Sequence, residues 1–347
     1  MKNRKREICT SGSVRDEDGQ PPHLLGRRQF LHLAAGAAAL PAVSRVARAQ
    51  AYPTRPVRII VGVSPGGVVD IVARLIGQWL SERLGQQFVI ENRPGAGTNI
   101  ATEAVVRAPA DGYTLLLVTA ANAINTTLYE KLNFSFIRDI APVASIIRHP
   151  FVMVVNPSVP AKTVPEFIAY AKANPGKLTM ASGGIGAATH LAGELFKVMT
   201  SVDIVHVPYR GLAASLSDLL GGQVQVTFAS VPSSIAYIKA GRLRALAITS
   251  ATRSEALPDL PTVGEFVPGY ETSLWLGLGA PKDTPAKIID TLNKETNAAL
   301  ADPKIKARLA DLGGTLLPGS PADFGKLIAD ETERWGNVIR AANIKAE

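Results

Sequence analysis

Short β-branched runs alternate with amphipathic helical runs along most of the chain, and this alternation limits the fold more than any other feature. "VRIIVGV" (57–63) is strand-like, and Val68, Val72, Leu75, Ile76 and Trp79 then recur at helical spacing up to a stop near Gly85. "QFVIENR" (87–93), "IATEAVVRA" (100–108) and "YTLLLVT" (113–119) continue as strand, helix and strand. The order β-α-β-α-β predicts a parallel sheet with helices on its faces. A second series begins near "FVMVVNP" (151–157), with helices over 164–174, 189–199 and 214–222 and strands over 177–182, 203–208, 224–230 and 243–249. Two extended joints, 146–154 and 273–281, bracket this series, and helix-like stretches follow at 285–301 and 321–342. Chain ends of this sort pack back on the first lobe. The expectation is a hinged clamshell of two α/β lobes: lobe 1 from 52–149 and 280–347, lobe 2 from 150–279, with the cleft as the natural ligand site.

Residues 1–50 stand outside that pattern. In "RRQFLHLAAGAAALPAV", Arg27 and Arg28 precede a short alanine-rich apolar run, and Ala47, Arg48 and Ala49 form a small-x-small site. This predicts an export signal cleaved near Ala49. The arginine pair with Phe30 and Leu31 is twin-arginine-like, although Gly26 stands where Ser or Thr is usual, so general secretion stays open. The apolar run is about half the ~20 residues a spanning helix needs. The 347 residues carry 37 basic and 29 acidic side chains, a net charge of +8. Nine of the basic and four of the acidic residues lie before residue 50, so the remainder is only mildly positive. That balance argues against nucleic acid or a membrane surface as partner. Cys9, the only cysteine, falls in the segment expected to be removed, so no disulfide, thiol nucleophile or cysteine metal site is expected. Past residue 50 no stretch is long and apolar enough to span a bilayer. These features predict a soluble, exported protein, expected to act as a monomer.

Four βα junctions share one character: "VSPGGVVD" (63–70), "VTAANAIN" (118–125), "ASGGIGAATH" (181–190) and "HVPYRGLAAS" (206–215). Each follows a strand, is rich in small residues and leads into a helix. Ligands of open parallel sheets bind beyond the carboxyl ends of the strands, and helix N-termini attract anions. Two lobes offering such junctions to one cleft suit a small organic anion; tight βα turns with no ligand are the plainer alternative. Nucleotide readings fail on detail. "SPGGVVD" lacks the Gly-Lys-Ser/Thr end of a phosphate loop, and "GIGAAT" lacks the third glycine of a dinucleotide fingerprint. His190 and Glu194 are one helical turn apart, but the second histidine of a zinc-protease pattern is missing, and no Gly-x-Ser-x-Gly elbow occurs. No metal, cofactor or catalytic set is therefore expected. Asp70 has two readings. It either braces its own helix turn, or it sits in the pocket and reads a donor on an amino or hydroxy acid.

"PGGVVDIVARLI", "ENRPGAGTNIATEAVVRAPADGYTLLL", "HVPYRG", "DLLGGQV", "GRLRALAITSATRSEALPDLPTVGEF" and "WLGLGAPKDTPAKIIDTLN" occur in this order. Together they resemble the periplasmic receptors of tripartite tricarboxylate transporters, the Bug receptors, from about residue 52 to the C-terminus. The resemblance implies a two-lobed type II periplasmic-binding-protein fold without catalytic activity. It implies capture of a small carboxylate (a di- or tricarboxylate, an amino acid or an aromatic acid) and its delivery to a membrane permease. Carried onto this chain, the ligand-binding set is Val63, Ser64, Gly66, Gly67 and Asp70 in the first loop. Ser182, Gly184, Gly186, Thr189 and His190 form the facing loop. Thr119, Ala121 and Asn125 line the neighbouring junction, with Tyr209 and Arg210 nearby, and Arg210 is the side chain expected to meet a second carboxylate. Val63 and Ser64 stand where the family often has an aromatic and a proline. Thr98 replaces a glycine, and Leu212, Ala213 and Ala214 replace a proline-containing loop. An exported α/β enzyme acting on a small organic anion is the alternative from another class.

Overall fold

The computed structural model describes residues 52–254 and 257–346. The export signal expected over 1–50, with its cleavage site, lies outside the described residues. Strand β1 (Val57–Val61) lies between β2 (Phe88–Asn92) and β3 (Thr114–Thr119), parallel to both, with Val57 opposite Phe88 and Arg58 opposite Thr114. Helix α1 (Val68–Leu84) links β1 to β2, and α2 (Asn99–Val106) links β2 to β3. Gly85 stops α1 in the left-handed region at φ 71°, its N–H returning to Ser81, as a residue without Cβ allows. Two helices follow β3: α3 (Ala120–Leu128) and the short α4 (Phe136–Asp139).

The parallel pattern holds within each series and breaks at the crossings. Strand β4 (Ile140–Val155) runs antiparallel to β9 (Ser273–Pro281), which is itself antiparallel to β3. Up to Pro150, β4 pairs with β9. From Phe151 onward it lies between β7 (Val226–Ser230) and β8 (Arg244–Ile248), antiparallel to both. The stretches 146–154 and 273–281 are hydrogen-bonded strands that carry the chain between the two series. β4 is buried along most of its 16 residues, so its sequence shows no alternation that would mark its start or its partners.

The second series contains α5 (Val164–Ala173), β5 (Thr179–Ser182), α6 (Ala188–Thr200), β6 (Val205–Pro208), α7 (Leu212–Leu220), β7, α8 (Val231–Lys239) and β8. Its β5 is parallel to β6 and β7. After β9 come α9 (Ala286–Ala301), α10 (Pro303–Asp311), the two-residue β10 (Thr315–Leu316) and α11 (Pro321–Ala341). Sequence periodicity did not mark α8 or α10. The start of α10 carried a readable signal: Asp302 accepts the N–H groups of Lys304 and Ile305, with Pro303 in the first turn.

The C-terminal helix ties the crossing together. α11 packs on α3, β4 and α6. The indole N–H groups of Trp275 on β9 and Trp335 on α11 both donate to Oε2 of buried Glu331, at 3.1 and 2.9 Å. Phe324 meets Trp275 edge to face at 5.9 Å. Gly277 is required here, because a Cβ would collide with the Phe324 ring and lie 2.6 Å from the Ala144 carbonyl. No helix among the described residues is long and apolar enough to cross a membrane.

Candidate functional site

The loop between β1 and α1 exposes Ser64, Pro65, Gly66 and Gly67. Gly66 has φ +91°, and a Cβ on Gly66 or Gly67 would meet nothing within 4 Å. Behind this open backbone Asp70 is only 2% exposed. Its Oδ2 accepts the Gly66 N–H at 3.0 Å and Arg74 Nε at 2.9 Å; its Oδ1 accepts Arg74 Nη2 at 3.1 Å and Asn92 Nδ2 at 2.9 Å. Asn92 also donates to the Val63 carbonyl at 3.0 Å, so both ends of the loop are tied to one side chain. Burial alone would raise the Asp70 pKa, but the hydrogen bonds from Arg74, Gly66 and Asn92 outweigh it and hold the carboxyl below its ordinary range. Four donors fill the acceptor sites of this carboxylate. Asp70 therefore braces the loop from behind.

At the second junction, Thr119 and Asn125 are buried and Ala121 is half-buried. Asn122 accepts the Thr119 N–H at 2.7 Å and donates to Thr98 and Thr102. Asn125 Nδ2 donates to the Gly97 carbonyl at 2.6 Å and to Asn99 at 2.9 Å. Both asparagines thus hold the 96–99 turn, in which Ala96, Gly97 and Thr98 all have positive φ.

In the third junction the glycine N–H groups turn onto the loop's own side chains. Gly183 donates to Thr189 Oγ1 at 3.0 Å, Gly184 to Ser182 Oγ at 3.1 Å and Gly186 to His190 Nδ1 at 3.1 Å. Ser182, Thr189 and His190 are all buried, so they lie behind the loop. Ser182 Oγ lies 2.7 Å from His206 Nε2, and the rings of His190 and His206 stack at 3.7 Å with 13° between their planes. Burial, with the neighbouring His190 adding to it, pushes the His206 pKa down to about 4. His206 carried no sequence signal beyond its place at a strand end.

A cavity of about 360 Å³ opens where the end of α3, the third junction and the end of β6 meet; Leu128, Tyr129, Gly184, Ile185, Pro208, Tyr209, Arg210 and Ala346 line it. Of the residues singled out from sequence, Gly184, Tyr209 and Arg210 lie in this wall. Val63, Ser64, Gly66, Gly67, Asp70, Thr119, Ala121, Asn125, Ser182, Gly186, Thr189 and His190 do not. Gly186 nevertheless fixes the meeting point, since a Cβ there would collide with Leu128. Gly97, held by Asn125, lies under Tyr129: a Cβ would sit 3.1 Å from the phenol oxygen. The Tyr209 hydroxyl donates to Asp218 Oδ2 at 2.7 Å, and burial together with that carboxylate raises the phenol pKa to about 12. Arg210 is exposed and has no ion-pair partner among the described residues, and the cavity wall contains no acidic side chain. Leu128, Tyr129, Ile185, Pro208 and Ala346 were missed because an apolar wall has no motif; proximity to a junction was the one available hint. A larger hollow of about 560 Å³, lined in part by Pro150, Arg253, Lys306 and Gly314, flanks the crossing away from these loops. Its Arg253 is neutralised by Glu265 at 2.8 Å. Among the described residues no cluster of His, Cys, Asp and Glu could hold a metal ion.

Two strand series linked through β4 and β9, with small-residue junctions at the strand ends, make this a mixed α/β protein of the two-lobed type II periplasmic-binding-protein fold. Residues 72–344 match the family model of the tripartite tricarboxylate transporter family receptor, and the chain belongs to that family. It is 40% identical to R. palustris Rpa4515, solved with adipate, with a TM-score of 0.76 over 85% of this chain and 99% of that one. The periplasmic binding protein BugD is 33% identical, with a TM-score of 0.74 over 85% and 100%. MatC from Rhodopseudomonas palustris, with bound malate, is 31% identical, with a TM-score of 0.73 over 83% and 100%. These neighbours are solute-binding proteins rather than enzymes, and the receptor role follows for this chain.

Proposed function

We propose that this chain captures a small carboxylate between its lobes in the periplasm and hands it to the permease of a tripartite tricarboxylate transporter. The observation that carries this reading is Arg210, a guanidinium in a cavity wall that offers it no carboxylate partner. A carboxylate ligand supplies the missing acceptor in a paired geometry. Adipate in Rpa4515 and malate in MatC support the same ligand class. From the set carried over from the family resemblance, the ligand contacts fall to Val63, Ser64, Gly66, Gly67, Ala121, Gly184, Gly186, Tyr209 and Arg210, with the loop Val63–Gly67 and the N-terminus of α3 closing on the second-lobe loops at 183–187 and 209–210. In that arrangement Asp70, Thr119, Asn125, Ser182, Thr189 and His190 shape the loops from behind. Closure of lobe 1 (52–149 and 280–347) on lobe 2 (150–279) bends the β4–β9 crossing, where the pairing shifts register between Pro142 and Ala144 and between Ser145 and Ile147.

Thermal denaturation of refolded, ligand-stripped protein against a panel of carboxylates, adipate and malate included, tests this reading. A bound acid at about 100 times its Kd adds roughly 2.7 kcal/mol of stability, a rise of several degrees. Arg210→Gln should weaken that acid about tenfold, the loss of roughly 1.4 kcal/mol from one charge-assisted contact at an exposed site. Recovery of the acid chemically altered, or equal affinity in Arg210→Gln, would overturn the proposal.

A further inference from the structure

His190 and His206 have no place in the ligand contacts proposed above, yet they stand directly behind the loop that forms the cavity wall at Gly184 and Ile185. Their rings lie face to face at 3.7 Å. Each ring supports one part of the loop. His190 Nδ1 accepts the Gly186 N–H, and His206 Nε2 contacts Ser182 Oγ, the same oxygen that accepts the Gly184 N–H. The first of these bonds exists only while Nδ1 of His190 keeps its lone pair, because a protonated imidazole has donors at both nitrogens. A proton there would set N–H against N–H and break the tie on Gly186, which is packed against Leu128 without room for a Cβ. A charge on His206 would face the stacked His190 ring in a half-buried site. The charges that act on His206 are those of His190, Glu194 and Lys197, all on α6; Glu194 Oε1 lies 3.6 Å from His190 Nε2 and 2.9 Å from Lys197 Nζ. β5, β7, β9 and α11, which also pack on α6, add no charge to that set among the described residues.

We propose that the stacked histidines are positioning residues that hold the 183–187 loop in its binding conformation while His190 Nδ1 keeps its lone pair, and release it when that nitrogen gains a proton. The proposal rests on the receptor reading for its ligand consequence, but the loop movement itself needs no ligand. The first test is therefore a pH titration of the ligand-free chain followed by NMR. The Gly184 and Gly186 amide resonances should shift with the same midpoint as an imidazole resonance of the pair, and His190→Asn, which keeps an acceptor near the Nδ1 position, should flatten Gly186. Loop amides that stay fixed while the rings titrate would overturn the proposal, and this wild-type result decides even if a variant fails to fold. His206→Gln provides the second variant.

The second test uses adipate as the probe, with Kd measured by calorimetry from pH 8 to 4.5. Below the midpoint the ratio of wild-type to His190→Asn Kd should grow by up to tenfold per pH unit, the slope for one proton excluded on binding. Taking the ratio at each pH cancels the ionisation of adipate itself. A constant ratio refutes the coupling. If adipate fails to bind at every pH, the choice of that acid fails, while the amide titration still decides the brace.

Discussion

Replacing Asp70 by Ala removes a carboxylate that receives four hydrogen bonds and leaves the 63–70 loop without its internal tie. The contacts from Gly66 and Asn92 are sheltered, and each is worth about 1 to 1.5 kcal/mol to a charged acceptor once solvent exchange is counted. Arg74 is 52% exposed, so solvent screens its ion pair and it adds little. Asn92 keeps its second bond to Val63, which limits the damage on that side. The expected destabilisation is about 3 kcal/mol at pH 7, read from urea denaturation midpoints at constant slope. Because the folded carboxyl has a pKa below its ordinary value of 3.8, this contribution is present above that value and disappears as pH falls through the folded pKa. The gap between parent and variant should therefore narrow on acidification below pH 3.8. A difference under about 1 kcal/mol at pH 7, or a gap that ignores acid, would refute the bracing argument. Asp70→Asn separates the two roles in binding: a brace weakens adipate and malate alike, whereas a ligand-reading carboxylate affects only the hydroxyl-bearing malate.

Three further outcomes follow from the same geometry. Glu331→Ala strands the buried indole N–H groups of Trp275 and Trp335 and should cost roughly 3–5 kcal/mol, with a change in the near-UV circular dichroism of tryptophan; a loss below 1 kcal/mol would contradict the hub assignment. His149 is buried and its pKa is pushed down to about 4 by desolvation, against an ordinary 6.5, so the unfolded chain binds its proton more tightly than the folded one. Stability should fall as pH drops from 6.5 and level off near 4, by about 3 kcal/mol in all, and a His149→Asn protein should show a shallower slope between those values. Gly186→Ala combines a φ of +72° with a collision against Leu128 and should cost about 1–3 kcal/mol. Adding Leu128→Ala relieves the collision but not the backbone strain, so the double variant should recover only part of the loss in a thermodynamic cycle.

The local rules of the chain are legible in its amino-acid order. β-branched runs bounded by glycine mark β1, β2 and β3, and 3.6-residue periodicity marks α1, α5, α6 and α11, because both patterns arise from neighbours within a few residues. The four small-residue junctions are readable for the same reason; Tyr209 and Arg210, inside the last of them, stand out only through the family resemblance. The Asp70–Arg74 pair was missed, although its i, i+4 spacing on one helix face is a local signal that could have pointed to the brace.

What tertiary structure alone decided depends on contacts far apart in the chain. Asn92, 22 residues from Asp70, completes the brace only because β2 lies beside β1. β4 serves both strand series because its two halves find different partners, and an apolar strand buried on both faces carries no mark of which. The His190–His206 stack, the seating of Tyr129 over Gly97 and the arrival of Ala346 at the cavity wall all come from packing between elements. Sequence alone determined that glycine-rich loops would stand at the strand ends; where their N–H groups point was decided by side chains that only the folded chain brings within hydrogen-bond reach.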